Sequence, residues 1–60
     1  MDLIKIGKYI AAKRKALGLT QKQLAEKLNM SDKSVSKWER GICLPDVTVY
    51  LELCEILGIS

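Results

Sequence analysis

Residues 30–41 read MSDKSVSKWERG. Three serines and an aspartate among the eleven residues before the glycine make a poor isolated helix. Short polar side chains compete with the helix for the backbone's hydrogen bonds. Yet Val35 and Trp38 stand three apart, which is helical spacing. Ser31 suits the N-cap position, and Gly41 suits the left-handed position just past a helix end. The stretch therefore reads as a short helix from about Asp32 to Arg40. Its outward face carries Asp32, Ser36 and Arg40 in one row and Lys33 and Lys37 in the next. That face is either a plain solvated surface or a surface that reads a partner.

The pattern extends in both directions. Thr20 caps a helix from Gln21 to Leu28, and Gln23 completes a capping box. Leu24, Ala25 and Leu28 form its inner stripe. Only Asn29, Met30 and Ser31 separate it from the next helix. So tight a turn makes the two cross steeply, with Ala25 as the small residue at the crossing. Asn29 tolerates the left-handed conformation that the turn needs. Leu24, Leu28, Met30, Val35 and Trp38 point to a shared interior. Upstream, Asp2 caps a helix from about Leu3 to Leu17, in which Leu3, Ile6, Ile10 and Leu17 recur with a helical period. Gly18 stops it. Downstream, Pro45 and Asp46 introduce a helix from Val47 to Leu57, with Tyr50, Leu53, Cys54 and Leu57 on one face. Gly58 ends it, and Ile59-Ser60 reads as the start of a further turn. No repeat appears, and no segment reads as a strand. The fold class is all-α, a compact bundle of four to five helices.

Composition narrows the function. Sixty residues make one small domain, with little room for a pocket that encloses a substrate. There is no histidine, and the two cysteines, Cys43 and Cys54, lack partners for a metal site. They read as reduced thiols of a cytoplasmic protein, with Cys54 filling core. No signal peptide or membrane-spanning run is present. No nucleophile has a base beside it, so an enzyme is disfavoured, and no cofactor, metal or small-molecule ligand is indicated. Residues 1–40 carry all ten cations and four of the seven anions. The remaining twenty carry three anions and no cation. A basic body with an acidic end suits a polyanionic partner.

The second and third helices together resemble the helix-turn-helix unit. Counted from Gln21, that unit has a small residue fifth, a glycine ninth and a β-branched residue fifteenth. Here these are Ala25, Asn29 and Val35, so the ninth departs from the pattern. The longer run RKALGLTQKQLAEKLNMSDKSVSKWERG, followed by LPD and LGIS, resembles the Cro and phage-repressor (XRE-type) family of DNA-binding domains. The resemblance covers about Ile6 to Ser60. It implies a lambda-repressor-like bundle in residues 1–60, with the helix-turn-helix unit at about 21–40. It also implies a sequence-specific transcriptional regulator, a repressor, with helix 32–40 in the major groove of double-stranded DNA.

The family's residue roles fall on matching positions. Gln21 would grip a phosphate through side chain and amide. Ser31 would meet phosphate or serve as a cap alone. Lys33 and Lys37 match base-reading positions, where lysine donates to guanine O6 and N7, or settles on phosphate instead. Asp32 either accepts from a cytosine amine or simply favours the helix N-terminus. Ser36 is short enough to let the helix approach closely, and Arg40 would contact phosphate. Arg14 and Glu39 would form a structural salt bridge that orients the groove helix. The family often binds as a homodimer on a two-fold operator. Sixty residues are few for tight dimerisation, so the chain is also expected to be a piece of a longer regulator. The alternative is a protein-interaction module, an antitoxin-type member of the same fold. Exposed Tyr9, Ile42 and Val47 would favour it.

Overall fold

The computed structural model describes residues 2–59. Four helices follow one another: α1 (Leu3–Ala16), α2 (Gln21–Lys27), α3 (Asp32–Glu39) and α4 (Val47–Leu57). There is no strand among the described residues, so the all-α fold class holds with four helices. Local chemistry sets each start. Asp2 Oδ1 accepts from the N–H groups of Ile4 and Lys5, opening α1. Thr20 Oγ1 accepts from Gln23 N while Gln23 Oε1 accepts from Thr20 N, the reciprocal capping box. Ser31 caps α3, and Asp46 caps α4 by accepting from Val49 N. Leu17, Leu28 and Arg40 are C-cap residues, so the first three helices end one residue earlier than the periodicity suggests. Helix α4 has the bounds read from Pro45, Asp46 and Gly58.

Every helix gives side chains to one core: Ile10 of α1, Leu24 and Ala25 of α2, Val35 and Trp38 of α3, Leu53 and Leu57 of α4, with Leu28 beside them. Ile6, Leu19, Val49, Ile56 and Ile59 pack around it. Three residues expected inside are not there. Leu17, Met30 and Tyr50 are 51%, 38% and 40% exposed. Leu17 is the C-cap of α1, where the apolar stripe runs past the end of the core. Met30 lies in the turn that Asn29 redirects. The inner arc of α4 is centred on Leu53 and Leu57, which rotates Tyr50 outward. Tyr50 joins Val47 and Leu51 in a solvent-facing apolar strip. Cys54, expected as core, is half-buried.

At Gly7, α1 lies directly against the backbone at the end of α3. A β-carbon there would lie 2.4 Å from the Trp38 carbonyl oxygen and 2.6 Å from that of Glu39. Only glycine lets the two backbones meet at this distance.

Candidate nucleic-acid interface

The turn between α2 and α3 is built from backbone bonds. Leu28 N and Met30 N both donate to the Ala25 carbonyl, at 3.0 and 2.9 Å. Asn29 has φ 59°, the only positive φ outside glycine among the described residues. Its short side chain makes that conformation affordable where most residues would resist it. Ala25, whose carbonyl anchors the turn, is itself buried.

Helix α3 begins with Ser31 Oγ accepting from Ser34 N at 3.3 Å, and the two hydroxyls lie 3.2 Å apart. Val35 and Trp38 are buried and fix which side of α3 faces the body. Asp32, Lys33, Lys37 and Arg40 are consequently brought together on the exposed side, with Ser36 half-buried among them. Arg40 Nε donates to the Ser36 carbonyl at 3.3 Å, which lays its guanidinium along the helix. The exposed face thus carries three cations and one anion within nine residues. Ser31, the cap, is exposed beside them.

Behind this face lies a charged network. Arg14 Nε donates to Glu39 Oε2 at 2.7 Å, and Arg14 Nη2 donates to Glu39 Oε1 at 3.0 Å. This is a bidentate fork, the strong form of an arginine–carboxylate pair. Arg14 Nη1 donates to the Leu19 carbonyl at 2.7 Å, just before the α2 cap. The two charged side chains are only 10% and 8% exposed. The Glu39 carboxylate, through its hydrogen bond and its charge, raises the Arg14 pKa above its ordinary value, against the lowering by burial. Stability from a raised pKa is present at lower pH and is lost only as pH climbs past the folded value. For an arginine that window lies in strong alkali, so Arg14 adds no pH switch.

Gln21 stands apart from the exposed rows. It is half-buried, and its Nε2 donates to Glu39 Oε1 at 3.0 Å. Three features escape sequence reasoning: this Gln21 bond, the Ser31–Ser34 pairing, and Gly7. For Gly7 a signal existed, since a glycine inside a helical pattern costs roughly 1 kcal/mol and usually has a packing reason.

Other candidates resolve simply. Tyr9, Ile42 and Val47 are exposed, and Lys13 Nζ sits 5.6 Å from the Tyr9 ring centroid. Cys43 and Cys54 are free thiols. No group of three histidine, cysteine or acidic side chains among the described residues could hold a metal ion. No helix among them is long and apolar enough to cross a membrane.

Residues 10–60 match the family model described as helix-turn-helix. Over 55 residues, 92% of the chain, the sequence is 36% identical to the HTH-type transcriptional regulator ImmR of Bacillus subtilis (strain 168), covering 43% of that protein. The chain spans less than half the length of the curated relatives it matches. Among solved structures it is similar to the restriction-modification controller protein C.AhdI from Aeromonas hydrophila. That likeness has a TM-score of 0.89 and 32% identity, covering 98% of this chain and 86% of the other. It is also similar to the clp gene regulator ClgR from C. glutamicum, with a TM-score of 0.88 and 27% identity, covering 100% of this chain and 77% of that one.

Proposed function

The chain belongs to the helix-turn-helix family of Cro/C1 (XRE) type, and from that premise we propose that it is a DNA-binding domain that represses transcription by reading double-stranded DNA with α3. One observation carries this reading. Val35 and Trp38 are locked into the core, so Asp32, Lys33, Ser36, Lys37 and Arg40 have no other direction than outward. Helix α3 then enters the major groove, whose width admits one α-helix. Lys33 and Lys37 reach base edges, and Ser36 leaves room between them. Asp32 accepts from a cytosine amine or tempers the approach of the helix tip. Arg40 and Ser31 hold phosphates, and the phosphate contacts supply most of the affinity. Gln21 Nε2 donates one of its two hydrogens to Glu39, and the phosphate contact expected at Gln21 is assigned in this reading to its main-chain N–H.

The same reading takes the chain as a cytoplasmic regulator that binds a two-fold operator as a homodimer. The exposed strip of Val47, Tyr50 and Leu51 supports a second copy docking there. The interaction-module alternative is the weaker reading, since ImmR and ClgR are named regulators and Tyr9 and Ile42 are scattered apolar side chains of an ordinary kind.

The test is a random-site selection followed by affinities for the selected site and its single-base variants at fixed salt. Lys37→Ala should relax the preference at one or two base pairs, by about 1–3 kcal/mol. A uniform loss on every sequence would make Lys37 a phosphate clamp. The base reading would then pass to Asp32, Lys33 and Ser36, with α3 rotated in the groove.

A further inference from the structure

Helices α2 and α3 are joined at one end by a turn and bridged at the other by a side-chain bond. The turn is residues 28–31, and the ends remote from it are Gln21, the first residue of α2, and Glu39, the last of α3. Gln21 Nε2 donates to Glu39 Oε1 between those ends at 3.0 Å. Resting on the DNA-binding reading above, we propose that the Gln21 side chain is a strut that sets the angle of α3, and so is a positioning residue for base recognition by the far end of the helix.

Leverage makes the strut effective. The turn already holds the start of α3 through backbone bonds to Ala25 and through the Ser31 cap. Asp32 and Lys33 lie next to that hinge. Lys37 lies five residues past Asp32, about 7.5 Å along the axis at 1.5 Å per residue. A small swing about the hinge displaces Lys37 and Arg40 most and Lys33 least. Arg14 restrains the same carboxylate from α1, whereas Gln21 restrains it from α2 itself. The strut therefore fixes the one angle internal to the two-helix unit. Removing it leaves no orphaned polar atom, because Glu39 Oε1 keeps its bond from Arg14 Nη2 at 3.0 Å. The cost to folding is correspondingly slight, and Gln21 carries no charge whose loss would weaken phosphate binding.

Gln21→Met keeps the length of the side chain and deletes the donor; Gln21→Ala checks that the thioether itself is not responsible. Both leave the main-chain N–H in place. Affinity is measured for the selected site, for its single-base variants and for a random duplex, at one salt concentration. The assay temperature is one at which far-ultraviolet circular dichroism shows all variants folded. The selected site should bind about five- to tenfold more weakly, short of the full loss of a bidentate base contact. The random duplex, bound through phosphates, should change by less than about twofold. The relaxed base pairs should be those that Lys37→Ala also relaxes, with those read by Lys33 retained. An equal fall on selected and random DNA would overturn the strut and make the side chain a phosphate contact. No change on either would overturn it too, as would relaxation confined to the base pairs of Lys33. A parent protein that selects no sequence at all would instead overturn the DNA-reading assignment from which the strut proceeds.

Discussion

Helices α3 and α4 touch the same core and are held to it in different ways. Helix α3 buries Val35 and Trp38, and its last residue is also tied by directional bonds to Arg14 and Gln21. Helix α4 buries Leu53 and Leu57, and among the described residues its side-chain bonding is limited to its own cap at Asp46. Apolar burial is non-directional and tolerates small rotations. A bidentate ion pair and a close backbone contact at Gly7 do not. The comparison teaches where orientation matters. The helix that presents charged side chains outward is pinned at specific atoms, and the helix with an apolar strip outward is merely packed.

The sharpest way to break this comparison is at Glu39. Glu39→Ala strands the buried Arg14 guanidinium, a change that typically costs about 3–5 kcal/mol. In a domain of this size that is a large share of the total. Replacing Arg14 and Glu39 together by apolar residues should cost less than the single change. Denaturation midpoints of the two single variants and the double variant decide the point. Additivity within about 0.5 kcal/mol would mean the pair is not coupled.

Next comes Gly7→Ala. In most helices this change gains up to about 1 kcal/mol. Here the added carbon meets two backbone carbonyls that cannot rotate away, at 2.4 and 2.6 Å. The helices must separate, and a loss of about 3 kcal/mol is expected, the upper part of the overpacking range. Thermal unfolding followed by circular dichroism reads it. A more stable variant would show that α1 is free to slide along α3.

The smallest effect belongs to α4. Leu57→Met keeps volume in a site held by packing alone and should cost less than about 1.5 kcal/mol. DNA affinity should be unchanged once the variant is folded. A loss of base preference with retained stability would show that α4 also steers α3, and would remove the distinction drawn above.

Much of this is legible in the sequence. The capping residues Asp2, Thr20, Ser31 and Asp46 mark helix starts through local chemistry, which sequence carries directly. The left-handed turn at Asn29 is of the same kind. The outward rows of α3 follow from Val35 and Trp38 by helical geometry. The failures are also of one kind. Leu17, Met30 and Tyr50 are apolar and in register, yet periodicity does not tell core from apolar rim at a helix end or in a turn. The Gln21 bond to Glu39 spans 18 residues, and Gly7 faces carbonyls more than thirty residues away. Neither leaves a repeating pattern. The Arg14–Glu39 pairing follows from family resemblance, since no local rule links residues 25 apart.

The buried fork from Arg14 has a consequence for anyone wishing to transplant the proposed reading unit. Residues 21–40 look portable as a peptide, being contiguous and carrying every exposed side chain of α3. Cut out, the segment would lose Arg14, Ile10 and the Gly7 contact, and Glu39 would be left holding only Gln21. Two helices of seven and eight residues do not persist unaided in water. The transferable module is therefore a surface and not a segment. Grafting Asp32, Lys33, Ser36, Lys37 and Arg40 onto another member of the fold is the workable route, provided that Gly7, Arg14, Gln21 and Glu39 have their equivalents in the recipient.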